Sequence, residues 1–210
     1  MSMSSALSKA GASNLQRRVP QQDRGERRVA EVLEAAAAVI AEVGYESATM
    51  TAMAERAGAS IGALYQYFPN KEAIVIALRV QYATEIEKLW APVTAQASKL
   101  STKELVDRIF DVTVGFMELR PAYIPLQSAP RTFKRDPAAR NRLREHFAKI
   151  YREKQPALTH EAAFRIASVT VQVIKGMSPL YADAKPSERE SIVSEFKLLL
   201  TTYLTSRLRA

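Results

Sequence analysis

Four neighbouring side chains in the N-terminal third of the chain carry groups that suit contact with a nucleic acid. They are Tyr65, Gln66, Tyr67 and Lys71. Tyrosine hydroxyl and lysine ammonium groups often donate hydrogen bonds to phosphate oxygens, and a glutamine amide can form two hydrogen bonds with adenine. Side chains of these types can contact phosphates and a base edge, provided that short helices hold them on the surface.

The residue types used in catalysis and metal binding are sparse. The chain has no cysteine, and its two histidines, His146 and His160, do not occur at spacings typical of a metal site. Nucleophile–base motifs and glycine-rich phosphate loops are also absent from the sequence. We therefore expect a protein that is not an enzyme and has no catalytic residues, metal or cofactor.

Composition and charge suit a folded protein with an anionic partner. The chain has 210 residues, a net charge of +8 and two basic clusters, at residues 17–28 and 131–154. The longest entirely apolar run, residues 35–41, is too short to cross a bilayer, and the first residues lack the apolar segment of a secretion signal. We expect a cytoplasmic protein that makes no membrane contact.

The spacing of apolar residues predicts an all-α fold of nine helices, with no convincing strand. Thr49 and Ser60 are suitable N-caps for two short helices, which the turn Gly58-Ala59-Ser60 separates. Two short helices joined by a glycine-containing turn of three residues are typical of a helix-turn-helix. Leu64 and Phe68, one turn apart, would hold the second of these helices against the first helix of the chain.

The chain divides into three predicted regions. Residues 1–22, rich in Ser, Ala, Gln and Arg, are expected to form a disordered basic tail; a minor-groove arm or a transit peptide is the alternative. Residues 23–70 are expected to form the helix-turn-helix domain. Residues 71–210 are expected to form a ligand-binding and dimerisation domain.

The segment from Thr49 to Ile74 resembles the DNA-binding domain of the TetR family of transcriptional regulators. Its most specific part reads Leu-Tyr-x-Tyr-Phe-x-Asn-Lys-Glu, from Leu64 to Glu72. The resemblance implies a homodimer of nine-helix chains that binds a double-stranded DNA operator, holds a small effector in its C-terminal domain and dimerises through helices eight and nine.

The resemblance also implies which residues contact DNA. Carried over position by position, they are Thr49, Thr51, Ser60, Ile61, Gly62, Ala63, Tyr65, Gln66, Tyr67 and Lys71. Thr49, Tyr65 and Lys71 match phosphate contacts, and Thr51 matches a position that can reach a base. The start of the recognition helix departs from many relatives, because residues 61–63 offer no side-chain hydrogen bond. We therefore expect thin direct readout, supplemented by DNA shape.

The resemblance implies an effector pocket enclosed by helices four to eight. Aromatic and flexible side chains are the candidate lining: Trp90, Phe110, Phe116, Met117, Tyr123, Phe133, Phe147, Tyr151, Met177 and Tyr181. Gln127 and His146 complete the lining as polar groups that could orient a ligand, as could Arg131. Each aromatic or flexible residue alone is more typical of a core than of a pocket wall. The basic cluster at residues 131–154 is either a solvated face of helix seven or a surface that attracts an anionic effector, such as an acyl thioester or a carboxylate.

Helices eight and nine are apolar on two faces, which indicates that both faces are buried. A second copy of the chain could cover one face; the alternative is that both helices are central in a monomer. The residues expected at the dimer interface are Phe164, Val171, Ile174, Val193, Phe196, Leu200 and Leu204.

Together these features predict a ligand-responsive DNA-binding regulator, with repression as the expected action. We expect a small, largely apolar effector to release it from a palindromic operator. The alternative is an architectural DNA-binding protein that needs no effector.

Overall fold

The computed structural model describes residues 21–130 and 137–208. Within these ranges the chain forms nine α-helices and no strand, as the sequence predicted. The helices are α1 (Gln21–Ser47), α2 (Met50–Arg56), α3 (Ile61–Tyr67), α4 (Lys71–Gln96), α5 (Thr102–Leu119), α6 (Tyr123–Ser128), α7 (Pro137–Lys154), α8 (His160–Asp183) and α9 (Pro186–Arg207).

Side-chain caps fix the starts of the helices that matter most for the N-terminal domain. Thr49, Ser60 and Asn70 each accept a hydrogen bond from the backbone N–H three residues further on, at 3.1, 3.1 and 2.8 Å. Such caps satisfy backbone donors that the first turn of a helix leaves unpaired. The predicted starts of α2 and α3 are thereby confirmed.

The structure also fixes where the first and last helices begin. The first helix begins at Gln21, within the predicted tail, so only residues 1–20 of that tail lie outside the described residues. The last helix begins at Pro186. A proline fits the first helical position because its missing N–H would have no partner there.

Glycines set the geometry of the N-terminal domain at two points. Gly44 has a φ of 75° and interrupts α1, and Gly58 has a φ of 59° in the turn between α2 and α3. Residues that have a Cβ rarely adopt such backbone angles. Leu64 and Phe68 are buried and fix α3 against the core, as the sequence predicted.

The C-terminal domain is built around α8, which packs against both α7 and α9, while α9 also packs on α5. Large aromatic side chains fill its centre, among them Trp90, Phe110, Phe116, Phe147 and Tyr151. None of the described helices is long and apolar enough to span a membrane.

Candidate DNA-binding interface

The outer face of α3 is a surface of side chains that do not pack against the protein. Tyr65 is 51% exposed, Tyr67 40% and Ile61 39%, and Gln66 and Gly62 are also exposed. An exposed tyrosine presents both an apolar ring and a hydroxyl group to a partner. Two exposed tyrosines on one short helix are therefore suited to binding. The structure therefore leaves the predicted contact residues of α3 accessible, with the exception of Ala63, which is partly buried.

Hydroxyl groups lie at the start of each short helix. The side-chain oxygens of Thr49 and Ser60 accept the capping hydrogen bonds, so the hydroxyl hydrogens can still be donated to another group. Thr51 is exposed on the first turn of α2. All three threonine and serine side chains can therefore reach a ligand without breaking the helices.

Lys71 has a structural role that the sequence did not reveal. Its Nζ donates to the backbone carbonyls of Tyr45 and Glu46, at 2.7 and 3.2 Å, and lies 4.2 Å from the centroid of the Tyr45 ring. These contacts tie the start of α4 to the end of α1. An ammonium group has three donors, so one remains for the predicted phosphate contact.

Two arginines connect α1 to the helix-turn-helix, a role that the sequence did not reveal. Arg28 donates to the carbonyl of Gly58 at 3.3 Å and pairs with Glu31 at 2.8 Å. Arg56 makes two hydrogen bonds with Glu42, and the same pairing lowers the pKa of Glu42. In the sequence these two arginines show only their positive charge, which does not indicate partners distant in the chain.

A charged cluster joins the N-terminal and C-terminal domains. Arg120, at the end of α5, donates two hydrogen bonds to Glu85 of α4 at 2.8 and 2.9 Å, and further ones to Glu34 of α1 at 3.1 and 3.2 Å. Gln81 bridges the same two carboxylates, at 3.3 and 2.9 Å. Arg120 also lies over the ring of Tyr82, 5.6 Å from its centroid. We call Arg120, Glu34, Glu85 and Gln81 the Arg120 cluster.

The predicted effector lining is largely core in this structure. Eight of its members are buried: Trp90, Phe110, Phe116, Met117, Phe147, Tyr151, Met177 and Tyr181. Three are partly buried, namely Tyr123, Gln127 and His146. Phe133 and Arg131 lie outside the described residues.

Ring contacts divide the predicted lining into two groups. Trp90 meets Phe147 edge to face at 5.0 Å and lies 6.2 Å from His146. Phe116 meets Tyr123 at 5.2 Å and also contacts Tyr82, at 5.7 Å. The second group therefore leads, through Tyr82, to the Arg120 cluster.

Some of the basic side chains on α7 are occupied by the protein itself. Arg142 pairs with Glu87 at 3.4 Å, and Lys154 donates to the carbonyl of Leu100. Lys149 and Arg152 instead line an open groove of about 650 Å³, together with Glu145, Glu153, Pro156 and His160. The described part of the cluster is thus a mixed-charge surface, which weakens the case for an anion site there.

The exposed apolar face of α8 and α9 differs from the predicted one. Four residues expected at the dimer interface are buried within the single chain: Val171, Ile174, Leu200 and Leu204. Phe164, Val193 and Phe196 are partly buried. The large apolar side chains left exposed on these helices are Val169, Leu180, Leu198 and Leu199. The dimer interface stays a prediction, and the exposed side chains offer a second surface for it on the same two helices.

A helix-turn-helix with an exposed second helix, carried on a larger helical domain, defines a DNA-binding regulator, and comparison with known proteins identifies the family. One family model, described as bacterial regulatory proteins of the tetR family, matches residues 32–78. A second, described as the C-terminal domain of tetracyclin repressor-like proteins, matches residues 101–204. The chain belongs to the TetR family of bacterial transcription regulators and is not an enzyme, as the sequence predicted.

Individual relatives match a short stretch of the chain or share its fold. The transcriptional repressor KstR of Mycolicibacterium smegmatis is 42% identical over 45 residues, which are 21% of this chain and 22% of that protein. The chain matches about a quarter of the length of its curated relatives.

Solved structures of the family match over almost their full length. A TetR-family regulator from Streptomyces coelicolor has a TM-score of 0.66 and 22% identity, covering 87% of this chain and 98% of the other. FadR from Bacillus subtilis, solved in complex with stearoyl-CoA, has a TM-score of 0.54 and 18% identity, covering 80% of this chain and 96% of the other. At these identities the likeness shows the shared fold.

Proposed function

We propose that this regulator is a homodimeric repressor, which a small and largely apolar effector releases from a palindromic operator. The observation that carries the proposal is the exposed face of α3, where Tyr65, Gln66 and Tyr67 stand clear of a core that Leu64 and Phe68 anchor. Tyrosine hydroxyls would fix the domain on phosphates, and Gln66 would read a base edge.

Release from the operator would act through α4. This helix begins at Lys71, which bonds the end of α1, and continues to Gln96 alongside the aromatic residues of the C-terminal domain. A dimer must present its two recognition helices about one turn of DNA apart, near 34 Å. A tilt of α4 would change that separation and lower operator affinity.

The Arg120 cluster supplies a second connection for the same movement. It bonds α1 to α4 and α5, and the Tyr82 ring beneath it contacts Phe116 of the predicted effector lining. An effector that moved Phe116 would therefore act on the orientation of α1. Coupling of this kind requires a contiguous set of packed and hydrogen-bonded groups, which these residues provide.

The dimer would form through the apolar side chains that α8 and α9 leave exposed. Val169, Leu180, Leu198 and Leu199 are each more than 40% exposed in the single chain. Their burial against a second copy would remove apolar surface from water, and a twofold axis would bring the same helices together from both chains. The homodimer thus keeps the predicted helices but uses different side chains.

The effector would be an apolar molecule with a polar end, such as an acyl thioester. The buried aromatic lining favours an apolar body. The structurally similar FadR of Bacillus subtilis was solved with stearoyl-CoA, which supports an acyl thioester as the first candidate. An effector-independent architectural protein is the second candidate, because residues 61–63 at the start of α3 offer no side-chain donor.

Operator release is tested by titrating an acyl-CoA series against the protein bound to its own operator. The operator is first obtained by selection from a random duplex library, and affinity is then followed by fluorescence anisotropy. Repression with release predicts that at least one saturating acyl-CoA lowers operator affinity about tenfold or more, which corresponds to a coupling free energy of roughly 1.4 kcal/mol. Unchanged affinity at saturating ligand would support the architectural alternative.

A further inference from the structure

Trp90 carries a buried hydrogen-bond donor for which the described part of the chain supplies no acceptor. The side chain is 1% exposed, and its Nε1 is buried without a partner among the described residues. An unpaired buried donor is uncommon in folded proteins and is destabilising. The position therefore calls for an acceptor that the described residues do not supply.

Two other unpaired nitrogens in the described residues do not call for the same explanation. They belong to Arg144 and Arg189, whose side chains are only partly buried. Arg144 uses another guanidinium nitrogen to bond Asn141, and Arg189 lies over the ring of Tyr181. A tryptophan has a single donor, so Trp90 has no second group with which to compensate.

The neighbours of Trp90 define what kind of acceptor would fit. Its ring packs against Phe147 and lies near His146, whose Nε2 is 3.0 Å from the hydroxyl of Thr94. The Thr94 hydroxyl donates to the carbonyl of Trp90, so His146 is the donor in its bond with Thr94. The side chain thus sits among apolar rings and a histidine whose pKa is lowered by burial and by Lys149.

The apolar rings beside the indole favour an uncharged acceptor over an anion. Burial of a carboxylate in apolar surroundings is expensive, whereas a carbonyl oxygen needs only one donor. The helix can also adjust at this point, because Pro92 lies in the same turn and removes one backbone hydrogen bond from α4.

We propose that Trp90 is the polar anchor of the effector site and donates its indole N–H to an uncharged carbonyl oxygen on an apolar ligand. This inference rests on the proposed function, since it specifies the ligand class of the same C-terminal domain. It makes Trp90 a specificity-determining residue: apolar packing would bind the body of the ligand, and the N–H would select molecules that carry the carbonyl.

The test uses two ligands that differ by one oxygen. Decanoyl-CoA contains the thioester carbonyl, and S-decyl-CoA is the thioether without it. Trp90 is the only tryptophan in the chain. Protein labelled with nitrogen-15 therefore gives a single indole nitrogen–proton NMR signal, which belongs to Trp90. Decanoyl-CoA should move this signal downfield and bind roughly 3- to 10-fold more tightly than S-decyl-CoA.

The variant W90F keeps an aromatic ring and removes the donor. Calorimetric titration should show that its affinities for the two ligands agree within about twofold, with the fold checked by circular dichroism. K103Q, altered at an exposed ion pair on α5, is the control and should keep the full preference. The NMR measurement on the unaltered protein stands even if W90F does not fold.

Three results would overturn the inference: no binding of decanoyl-CoA, an indole signal that both ligands move equally, or a preference that W90F retains. Equal movement is the result expected if a water molecule, and not the ligand, accepts the hydrogen bond. Operator binding is measured separately. If decanoyl-CoA moves the indole signal but leaves operator affinity unchanged, the Trp90 site stands and the proposed release mechanism fails.

Discussion

At the scale of single residues, the exposed side chains proposed to contact DNA follow from local spacing, while the contacts that hold the neighbouring helices together do not. Leu64 and Phe68 lie one turn apart and were expected to face inward, which leaves Tyr65 and Gln66 outward, and the structure agrees. The bonds from Lys71 to the end of α1 depend on how α1 and α4 cross, and a linear pattern contains no information on that crossing.

The two neighbouring residues on α3 should have distinct effects on DNA binding. Y65F removes a hydroxyl that would bond phosphate, so affinity should fall about fivefold for all sequences, from a loss of roughly 1 kcal/mol. Q66A should instead relax the preference at one base position, by roughly 1–3 kcal/mol. Anisotropy with the operator and with single-base variants separates the two. A uniform loss in Q66A would contradict its assignment to base recognition.

His146 should make stability depend on pH near neutrality. Burial and Lys149 lower its pKa in the folded chain below the ordinary value of 6.5, so the unfolded chain binds more protons below that pH. The contribution of His146 to stability is complete above about pH 6.5 and is lost as the pH falls through the lowered pKa. Thermal unfolding between pH 7.5 and 5.5 should show this fall in the unaltered chain.

The variant H146Q keeps a group that can bond Thr94 and cannot take up a proton in this range. Its melting temperature should vary less between pH 7.5 and 5.5 than that of the unaltered chain. H160Q, at the only other histidine, is the matched control. An H146Q variant with the same pH dependence as the unaltered chain would count against the assignment.

At the scale of elements, helix starts were predictable because a cap is a local interaction, whereas the links between helices were not. Thr49 and Ser60 cap their helices as expected. Arg120 meets carboxylates that lie 35 and 86 residues away in the chain. Only the packing of α1, α4 and α5 creates that site, so the sequence showed Arg120 as one charge among many.

The Arg120 cluster should matter for both stability and regulation. R120Q leaves two carboxylates without their arginine; since Arg120 is partly exposed, we expect a loss of about 1–2 kcal/mol in the free energy of unfolding. Effector titrations should also show a weaker change in operator affinity. Chemical denaturation and anisotropy measure the two effects.

K103Q is the control for R120Q, because it removes an exposed pair on α5 that makes no contact with the N-terminal domain. Its stability should change by less than about 0.5 kcal/mol, with an unaltered effector response. A normal effector response in R120Q would show that the cluster is structural only.

At the scale of the whole molecule, the sequence indicated that α8 and α9 are buried on two sides but could not assign the sides. Val171 and Leu200 fit the apolar pattern as well as Val169 and Leu199 do, and only the packing of α5, α7 and α8 decides which become core. The exposed set now marks the surface proposed for the dimer.

A charge introduced into that surface should separate the chains. L198E places a carboxylate among side chains that would be buried in the dimer, so the dissociation constant should rise at least about tenfold. Leu119 is similarly exposed but lies at the end of α5, which makes L119E the control. Analytical ultracentrifugation should show monomers for L198E only. An intact L198E dimer would place the interface elsewhere.

The most direct test of the whole account is selection of bound duplexes from a random DNA library at about 0.15 M salt, where nonspecific phosphate binding is weakened. A dimer that presents two α3 helices predicts a palindrome with half-sites centred about one helical turn apart. Recovery of no common sequence, from protein that is folded and dimeric, would contradict the assignment of α3 as a sequence-reading helix.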